Sequence, residues 1–453
     1  MRVPNRLFAS GCMPALVALP ACLGIAACST SATVAPPAAQ TTHTTVKPPP
    51  NTVAPQPPHV SPLAKDWKTY GDTVYFGCPT EFSDSKSALE DIRPKVLDPK
   101  TADLIMPAVP MAAAGETITG AVCALSNDVG DMKVVYVVAS TAAVASTTPG
   151  RPPAAVKATA YLFDLKSSQP LATREVLPPT PELKVAPPKD WRLAPTTTGV
   201  ALVNAFTDTR GAPAAPRTTI LSNTDLATRW EDPEQARVWQ DVLSFQRSAT
   251  PGGPLGAELR LPTGEPVYQD PDVATVDAEL SDGPDRLVQI THWDSHNPPV
   301  MSTTFYDLTS RALVKFGDTD RISGGGLTAT LSDGKLFIDG RGSAGSQFGY
   351  GVWNLRTQHW DLLTPRDEAK KQPISKLAFF GDHLYITNSA GTHSVLALPE
   401  TNPVATNWTD RPFGRISGWT LVCSGETAPQ QKGDCREILL VRDTDGRYPG
   451  PWF

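Results

Sequence analysis

The sequence predicts an all-β fold, a seven-bladed β-propeller, from three observations. Two β-rich strands joined by a polar loop recur seven times after about residue 130. The recurrences are spaced by about 40–50 residues, with one longer first interval, and this is the period of a four-stranded propeller blade. No segment shows the sustained 3.6-residue apolar period of a long helix, and only 231–240 and 366–371 are expected to form short helical turns.

Each of the seven units is defined by two successive strands. In chain order the pairs are 134–138 with 161–165, 200–203 with 219–222, 242–245 with 259–262, 287–290 with 304–308, 336–339 with 352–355, 384–387 with 395–398, and 421–424 with 438–441. Turn residues such as Asp333-Gly334 precede some of these strands. A pair of β-sandwiches or an eight-bladed ring remains compatible with the same pattern.

The second strand of a unit often ends in Asp-Leu or Asn-Leu before a polar turn, as at Asp164, Asp307 and Asn354. This motif resembles the repeats of quinoprotein-like and WD40-like propellers over about residues 130–441. Quinone-dependent dehydrogenases of that type carry a docking Trp after the turn. Leu171 and Leu313 stand at that place here, which argues against a quinone, and no cofactor is predicted.

Residues 66–125 fit the repeat least well, although 73–78 and 118–123 read as strands. A propeller must close its ring, usually by letting a terminal strand complete the last blade and remove a free edge. We therefore expect 73–78 to complete the last blade or to add a strand to the first one.

The N-terminus reads as an export signal. Arg2 and Arg6 precede an apolar run over 7–27, which is typical of a secretory signal. The run ends in Ile25-Ala26-Ala27-Cys28, and this resembles the lipobox of bacterial lipoproteins. The resemblance implies cleavage before Cys28, a lipid on its thiol and acyl chains such as palmitate that hold the protein in a membrane. An ordinary signal peptide or an uncleaved membrane helix are the alternatives, and Cys22 has a poorer context.

The sequence thus divides into a signal peptide over 1–28, an Ala/Thr/Pro-rich linker over 29–65 and a propeller domain over 66–453. The linker has almost no large apolar residues, so we expect it to be disordered. High Ala, Pro, Thr and Arg content suggests a GC-rich source, and an actinobacterium is expected. The expected location is the extracytoplasmic face of the cell membrane.

Four cysteines follow the signal: Cys78, Cys123, Cys423 and Cys435. An even number in an exported protein indicates two disulfide bonds. Three pairings are possible, and we favour Cys78–Cys123 with Cys423–Cys435 because each joins neighbours in the chain. Buried free thiols are the alternative.

One local cluster could carry chemistry. If the strand from Leu287 continues, its period of two places His292, Asp294 and His296 on one face, a reasonable ligand set for zinc or another transition metal. The segment runs into Asn297-Pro298-Pro299, so a solvated surface loop is the simpler interpretation. No catalytic residues are predicted, because no nucleophile elbow, phosphate-binding loop or dinucleotide motif is present.

These observations favour a non-enzymatic binding or scaffold module at the cell envelope. The expected partners are the membrane, through the lipid anchor, and an envelope protein, a peptide or a cell-wall component. A formal net charge of -6 makes nucleic acid an unexpected partner. Candidates for ligand contact are Trp191, Trp230, Trp239 and Trp293, all expected in loops. An extracytoplasmic hydrolase or lyase with a site in the propeller channel is the alternative.

Overall fold

The computed structural model describes residues 59–60, 68–70, 73–79, 89–98, 101, 103–128, 131–143, 154–180, 191–207, 213–248, 255–270, 272, 274–294, 300–343, 346, 348–399, 402–406, 408–416, 418–424 and 437–443. These residues are almost entirely strands and turns. They contain one short α-helix, α1 (Arg366–Ala369), and a 3₁₀ turn at Leu89–Ile92. Within them, no helix has the length and apolar character needed to cross a bilayer.

The strands are short to moderate in length and follow one another closely. Their bounds are β1 (His59–Val60), β2 (Lys68–Tyr70), β3 (Thr73–Phe76), β4 (Lys95–Leu97), β5 (Leu104–Ile105), β6 (Glu116–Asp128), β7 (Asp131–Ala143), β8 (Ala154–Asp164), β9 (Ala172–Thr180), β10 (Arg192–Thr196), β11 (Gly199–Thr207), β12 (Pro213–Ser222), β13 (Thr228–Asp232), β14 (Arg237–Val238), β15 (Leu243–Ser248), β16 (Leu255–Arg260), β17 (Pro266–Gln269), β18 (Ala274–Asp282), β19 (Asp285–Asp294), β20 (Val300–Asp307), β21 (Ala312–Leu313), β22 (Ile322–Ser323), β23 (Thr328–Ser332), β24 (Lys335–Asp339), β25 (Phe348–Asn354), β26 (His359–Pro365), β27 (Ile374–Phe380), β28 (His383–Asn388), β29 (His393–Ala397), β30 (Asn402–Thr406), β31 (Asp410–Ile416), β32 (Trp419–Ser424) and β33 (Glu437–Arg442).

In the described residues these strands form eight antiparallel sheets, which we call blades 1 to 8. Blades 1 to 4 are β2–β5, β6–β9, β10–β13 and β14–β17, and blades 5 to 7 are β18–β21, β23–β26 and β27–β30. Strand β22 adds to β20 of blade 5, and blade 8 consists of β31–β33 with β1 as its fourth strand. First strands of neighbouring blades, such as β23, β27 and β31, lie next to each other. This arrangement is a β-propeller.

Apolar side chains pack between neighbouring blades rather than within one blade. Buried Leu287 of blade 5 and Ile338 of blade 6 belong to one cluster, for example. The last and first blades share a cluster too, in which Val74 and Leu97 of blade 1 meet Leu421 and Leu440 of blade 8. Burial of apolar area is the main favourable term in folding, so these shared cores hold the blades together and close the ring.

The predicted number of seven blades is wrong, because the structure has eight. The seven units found in the sequence correspond to the second and third strands of blades 2 to 8. Blade 1 was missed because its strands are only two to four residues long, from β2 at Lys68–Tyr70 to β5 at Leu104–Ile105. Such strands are too short to show the alternation of apolar and polar residues by which a strand is recognised.

Ring closure also differs from the expectation for 73–78. Strand β3 (Thr73–Phe76) neither completes the last blade nor adds to another, because it is the second strand of blade 1 and pairs with β2 and β4. The last blade is instead completed by β1, in which His59 faces Leu439 and Val60 faces Ile438 of β33. His59 and Val60 lie within the 29–65 stretch that the sequence assigned to a linker.

The predicted disulfide bond between Cys78 and Cys123 is confirmed. Both residues are fully buried, and the bond joins the end of β3 in blade 1 to β6 in blade 2. Cys423, in β32 of blade 8, is also disulfide-bonded. Cys435, its predicted partner, lies outside the described residues, as do the signal sequence and Cys28.

The repeated Asp or Asn of the sequence motif shapes the turn between the third and fourth strands. The side chain of Asp164 accepts a hydrogen bond from the backbone N–H of Lys166 at 2.8 Å, and Asp307 does the same with Thr309 at 2.8 Å. Asn354 accepts from the N–H of Arg356 at 3.0 Å. A side chain that accepts a hydrogen bond from the backbone N–H two residues later forms an Asx-turn. The motif therefore recurs because it forms the turn between the third and fourth strands of a blade.

Candidate functional site

Strand β19 continues through His292 and Asp294, so the interpretation of this segment as a surface loop is wrong for these two residues, and His296 lies outside the described residues. The His292 side chain is only 2% exposed. Its Nε2 atom lies 2.8 Å from the hydroxyl of Thr304, and its Nδ1 atom lies 3.0 Å from Oδ2 of Asp270. Both ring nitrogens therefore already face protein groups. Metal binding by His292, Asp294 and His296 stays a prediction.

The contacts of His292 extend into a buried polar chain. The Tyr268 hydroxyl donates to Oδ2 of Asp270 at 2.8 Å, and the backbone N–H of Asp272 donates to Oδ1 at 2.9 Å. Burial would raise the pKa of Asp270, but the contacts with His292, Tyr268 and this N–H outweigh it and lower the pKa to about 2. Burial of the Tyr268 hydroxyl and its hydrogen bond to Asp270 raise the pKa of that hydroxyl.

A carboxylate, an imidazole and a hydroxyl contact one another here in the order found in a hydrolase triad. They belong to Asp270, His292 and Thr304. Thr304 is only 1% exposed, however, so a substrate has no access to its hydroxyl. Asp270 lies where the chain leaves blade 4, whereas His292 and Thr304 belong to blade 5. We therefore interpret the three residues as a clamp between two blades, and call them the blade 4–5 clamp.

The tryptophans proposed for ligand contact lie mostly in packed positions. Trp191 lies outside any strand, just before β10, as expected, but it is only 1% exposed and belongs to the core between blades 2 and 3, which leaves little surface for ligand contact. Trp230 is in strand β13 and packs edge-on against Phe245 at 6.1 Å. The indole N–H of Trp239 donates to the Ser244 hydroxyl at 3.3 Å. Trp293 lies in β19 and is half-buried.

A different feature marks a candidate site: blade 4 has a very short first strand. Strand β14 contains only Arg237 and Val238, which face Ser244 and Leu243 of β15. The rest of β15, from Phe245 to Ser248, pairs with β16 on one side and, among the residues that the structure describes, has no strand partner on the other. The first strands of the flanking blades are longer, with five residues in β10 and nine in β18. The missing part of the first strand leaves a gap between blades 3 and 5.

The chain before β14 is held away from this gap. The Thr218 hydroxyl, in β12 of blade 3, donates to the carbonyl of Glu234 at 2.8 Å and accepts from the N–H of Ala236 at 2.8 Å. The Asp232 side chain fixes the same segment by accepting from the N–H of Glu234 at 2.9 Å. The segment before β14 therefore follows blade 3 instead of extending β14 along β15.

The gap forms a cavity of about 430 Å³, which we call the inner cleft. Its floor is apolar and buried and consists of Val203, Ala236, Phe245, Ala257 and Val276. Its remaining walls are polar and include Arg192, Glu234, Gln235, Arg237, Gln246 and Thr275. A concave site of a few hundred Å³ with an apolar floor and a few polar groups is the usual form of a ligand pocket.

An ion-pair network supports the blade 3 side of the cleft. Arg247 contacts Asp232 at 2.6 Å, Glu234 at 2.8 Å and Glu258 at 3.0 Å. Asp232 and Glu258 are nearly buried, so their negative charges require such a partner. Glu234 shares the Arg247 guanidinium with Asp232 and Glu258. The side chains of Arg192 and Arg237 are exposed at the rim of the cleft.

A second cavity of about 360 Å³ lies at the other end of blades 3 to 5, among the turns that join first to second and third to fourth strands. The buried Asp241 carboxylate lies here, 2.7 Å from Nη1 of Arg286. Both oxygens of Glu279 accept from the backbone N–H of Asp241 at 3.1 Å. Burial and the nearby charge of Asp241 raise the pKa of Glu279 to about 8, so at neutral pH this carboxyl group is mostly protonated.

The raised pKa of Glu279 predicts a pH-dependent stability. In the unfolded chain this group loses its proton near pH 4–5, whereas the folded protein keeps it up to about pH 8. The folded state therefore binds more protons between these values, and the free energy of unfolding should fall by roughly 3 kcal/mol as pH rises from 5 to 8. Urea unfolding at several pH values should show this decline.

In Glu279→Gln the decline should be largely absent. Glu265→Gln is the matched control, because Glu265 is exposed and pairs only with exposed Arg311 at 2.7 Å. Equal pH slopes for Glu279→Gln and the unaltered protein would contradict a protonated Glu279.

The chain matches no family model and no curated protein. Among solved structures, it is similar to BamB from Moraxella catarrhalis, with a TM-score of 0.34 and 9% identity over 85% of this chain and 99% of that one. It is also similar to the computationally designed Ika8 protein, with a TM-score of 0.32 and 10% identity over 83% and 95% of the two chains. A third similarity is to Sqt1 of Saccharomyces cerevisiae, with a TM-score of 0.29 and 8% identity over 70% and 95%. At these values no function is carried over from these proteins.

Proposed function

We propose that the protein is a non-enzymatic binding module on the extracytoplasmic face of a bacterial cell membrane. A lipid on Cys28 holds it there, and a protein or peptide partner binds in the inner cleft. The observation that carries the binding role is the cleft itself, an open cavity with a buried apolar floor and a charged rim. Loops and gaps on a rigid scaffold are common sites of recognition.

The Cys78–Cys123 bond supports an extracytoplasmic location. Structural disulfide bonds form and persist in exported proteins and are rare in the reducing cytosol. Both sulfur atoms are buried, so the bond belongs to the folded core. The lipobox-like sequence ending at Cys28 supports membrane attachment.

In-cell photo-crosslinking tests the binding role. A photoreactive amino acid at Gln246, which is exposed in the cleft, should capture a partner. The same group at Leu171, which is 53% exposed in blade 2, is the matched control and should not capture it. If both positions capture the same set of proteins, or neither captures any, the cleft is not the binding site of a protein partner.

The anchor is tested separately by changing the lipidated cysteine. Cys28→Ser should abolish labelling by an alkyne-tagged fatty acid and move the protein from the membrane fraction to the soluble fraction, because the acyl chains supply the membrane affinity. Cys22→Ser, in the poorer sequence context, should behave like the unaltered protein. A Cys28→Ser protein that still takes up the fatty acid would contradict the assignment of the anchor.

A further inference from the structure

An exposed apolar stretch lies on blade 1. Twelve successive residues, 104–115, carry no hydroxyl, amide or charged side chain, and we call them the apolar segment. Its side chains Leu104, Met106 and Met111 are 48%, 54% and 85% exposed. The other large apolar side chains exposed to this degree in the described part of the chain are scattered singly over blades 2, 5, 6 and 7. Single exposed apolar residues are ordinary, whereas a contiguous group of them marks an interaction surface.

The apolar segment is held in place by the residues beneath it. The Arg93 side chain donates to the carbonyl of Pro107 at 2.6 Å and to that of Met106 at 3.1 Å. The N–H of Glu116 donates to the carbonyl of Ala113 at 3.0 Å. Pro107 is buried and, as a proline, has no N–H to satisfy. Several backbone groups of the segment are thus already occupied, which lowers the cost of taking it out of water.

We propose that the apolar segment inserts its exposed side chains into the extracytoplasmic surface of the lipid bilayer, so that the ring touches the membrane through blade 1. This inference rests on the membrane location in the proposed function and adds a second contact to the lipid on Cys28. Apolar side chains at the boundary between headgroups and acyl chains bind in proportion to the apolar area that they bury.

The composition of the segment favours lipid over a protein partner. Protein interfaces contain about one hydrogen bond per 100–200 Å², and the twelve side chains offer no hydroxyl, amide or charge to form one. Lipid chains require none. The charges at the two ends do not interrupt the surface. Glu116 pairs with Lys157 and accepts from the Ser140 hydroxyl at 2.9 Å, and Asp103 is exposed at the edge, where it can stay among the hydrated headgroups.

The path of the chain brings the membrane within reach of this surface. His59 begins β1, the outermost strand of blade 8, and Leu104 lies in β5, the outermost strand of the adjacent blade 1. Thirty residues lie between Cys28 and His59, and an extended chain of this length spans at most about 100 Å. The tether and the apolar segment therefore meet the same part of the rim. Tethering turns a weak contact into an intramolecular one, so a small apolar surface suffices.

Contact through blade 1 would also orient the inner cleft. In a ring of eight blades, blade 4 lies opposite blade 8. A ring that touches the membrane next to blade 8 therefore holds the cleft of blade 4 on the side away from the bilayer, where a partner can reach it.

The test places an NBD fluorophore at the most exposed position, in Met111→Cys. Cys78, Cys123 and Cys423 are disulfide-bonded, so the label reacts with the new thiol. The chain from residue 29 onward, with an N-terminal polyhistidine tag, is bound to vesicles of phosphatidylethanolamine and phosphatidylglycerol that contain a nickel-chelating lipid. The NBD emission should shift to the blue, and lipids with a nitroxide on the acyl chain should quench most of it.

The matched control is the same label in Leu363→Cys, because Leu363 is 49% exposed in the outermost strand of blade 6. Its emission should not change on the vesicles. In the protein labelled at position 111, Met106→Asp should abolish the blue shift, because a carboxylate is costly to place among acyl chains. Met106→Leu should retain the shift. Met106 is exposed, and near-UV circular dichroism would verify that both variants keep the fold.

An NBD group at position 111 that shows no blue shift on vesicles, or the same shift as in Leu363→Cys, would overturn the proposal. If a photoreactive group at position 111 then captured one protein in cells, the apolar segment would be a protein docking site instead. A blue shift without vesicles that grows with protein concentration would assign the surface to a second copy of the chain.

The nickel-chelating lipid replaces the lipid on Cys28, so this test does not depend on lipidation. A Cys28→Ser protein that still takes up the fatty acid would remove the proposed anchor and leave the result at position 111 unchanged. Failure of crosslinking from Gln246 would bear only on the inner cleft.

Discussion

Replacing His292 with alanine is expected to lower the free energy of unfolding by about 3–5 kcal/mol. The substitution leaves the buried carboxylate of Asp270 without the imidazole 3.0 Å away, and the Thr304 hydroxyl without its contact at 2.8 Å. Removing a group that contacts a buried charge is costly because the charge then stays out of water with less compensation. Urea unfolding followed by tryptophan fluorescence would measure the loss.

His359→Ala is the matched control, because His359 is 60% exposed and lies 3.3 Å from Asp361. Its effect should stay within about 0.5 kcal/mol, as for most surface changes. The effect of His292→Ala should also depend on pH. The depressed pKa of Asp270 contributes stability above about pH 4 that is lost as pH falls through about 2. A loss equal to that of His359→Ala would show that the blade 4–5 clamp contributes little.

Removal of the Cys78–Cys123 bond is expected to have an effect of similar size. The bond closes a loop with a sequence separation of 45 residues, for which the chain-entropy model gives about 4 kcal/mol. The double variant Cys78→Ala/Cys123→Ala avoids an unpaired thiol and should unfold at a correspondingly lower urea concentration. Reduction of the unaltered protein would also break the bond of Cys423, so it should destabilise at least as much as the double variant.

A double variant as stable as the unaltered protein would contradict this prediction. A variant that loses only blade 1 is a further possible outcome, visible as protease cleavage between residues 68 and 105. It would still support a stabilising role for the bond, because the bond ties blade 1 to blade 2.

The repetition in the sequence predicted the fold class because the second and third strands of seven blades contain five or more residues each. Strands β7 and β8 are thirteen and eleven residues long, for example, and β8 ends at Asp164 of the Asp-Leu pair that recurs in the sequence. Blade 1 lacks both signals. Blade 1 is recognised only from the pairing of its very short strands and from the packing of Val74 and Leu97 against blade 8. Both are contacts of the folded chain that no local sequence pattern shows.

The candidate site could not be predicted for a related reason. It is formed by a missing stretch of strand, and the residues 231–240 were expected to form a helical turn. They contain instead the end of β13, a segment held by Thr218, and the two residues of β14. The His292 cluster was conspicuous in the sequence, but its partner Asp270 lies 22 positions earlier in another blade. Nothing local indicates that this histidine is buried.

The completion of blade 8 by β1 determines how the ring responds to mechanical force. Any pull on the chain that precedes His59 acts first on the two residue pairs that β1 forms with β33. Two pairs resist such a load only weakly, so the outer edge of blade 8 should detach before any other blade is disturbed. Further extension of the chain would end at Cys78, where the covalent bond to Cys123 transfers the load to β6 and the rest of the ring. Under such a load, the weak pairing of β1 with β33 should break first, and the Cys78–Cys123 bond should then stop further unfolding from this end.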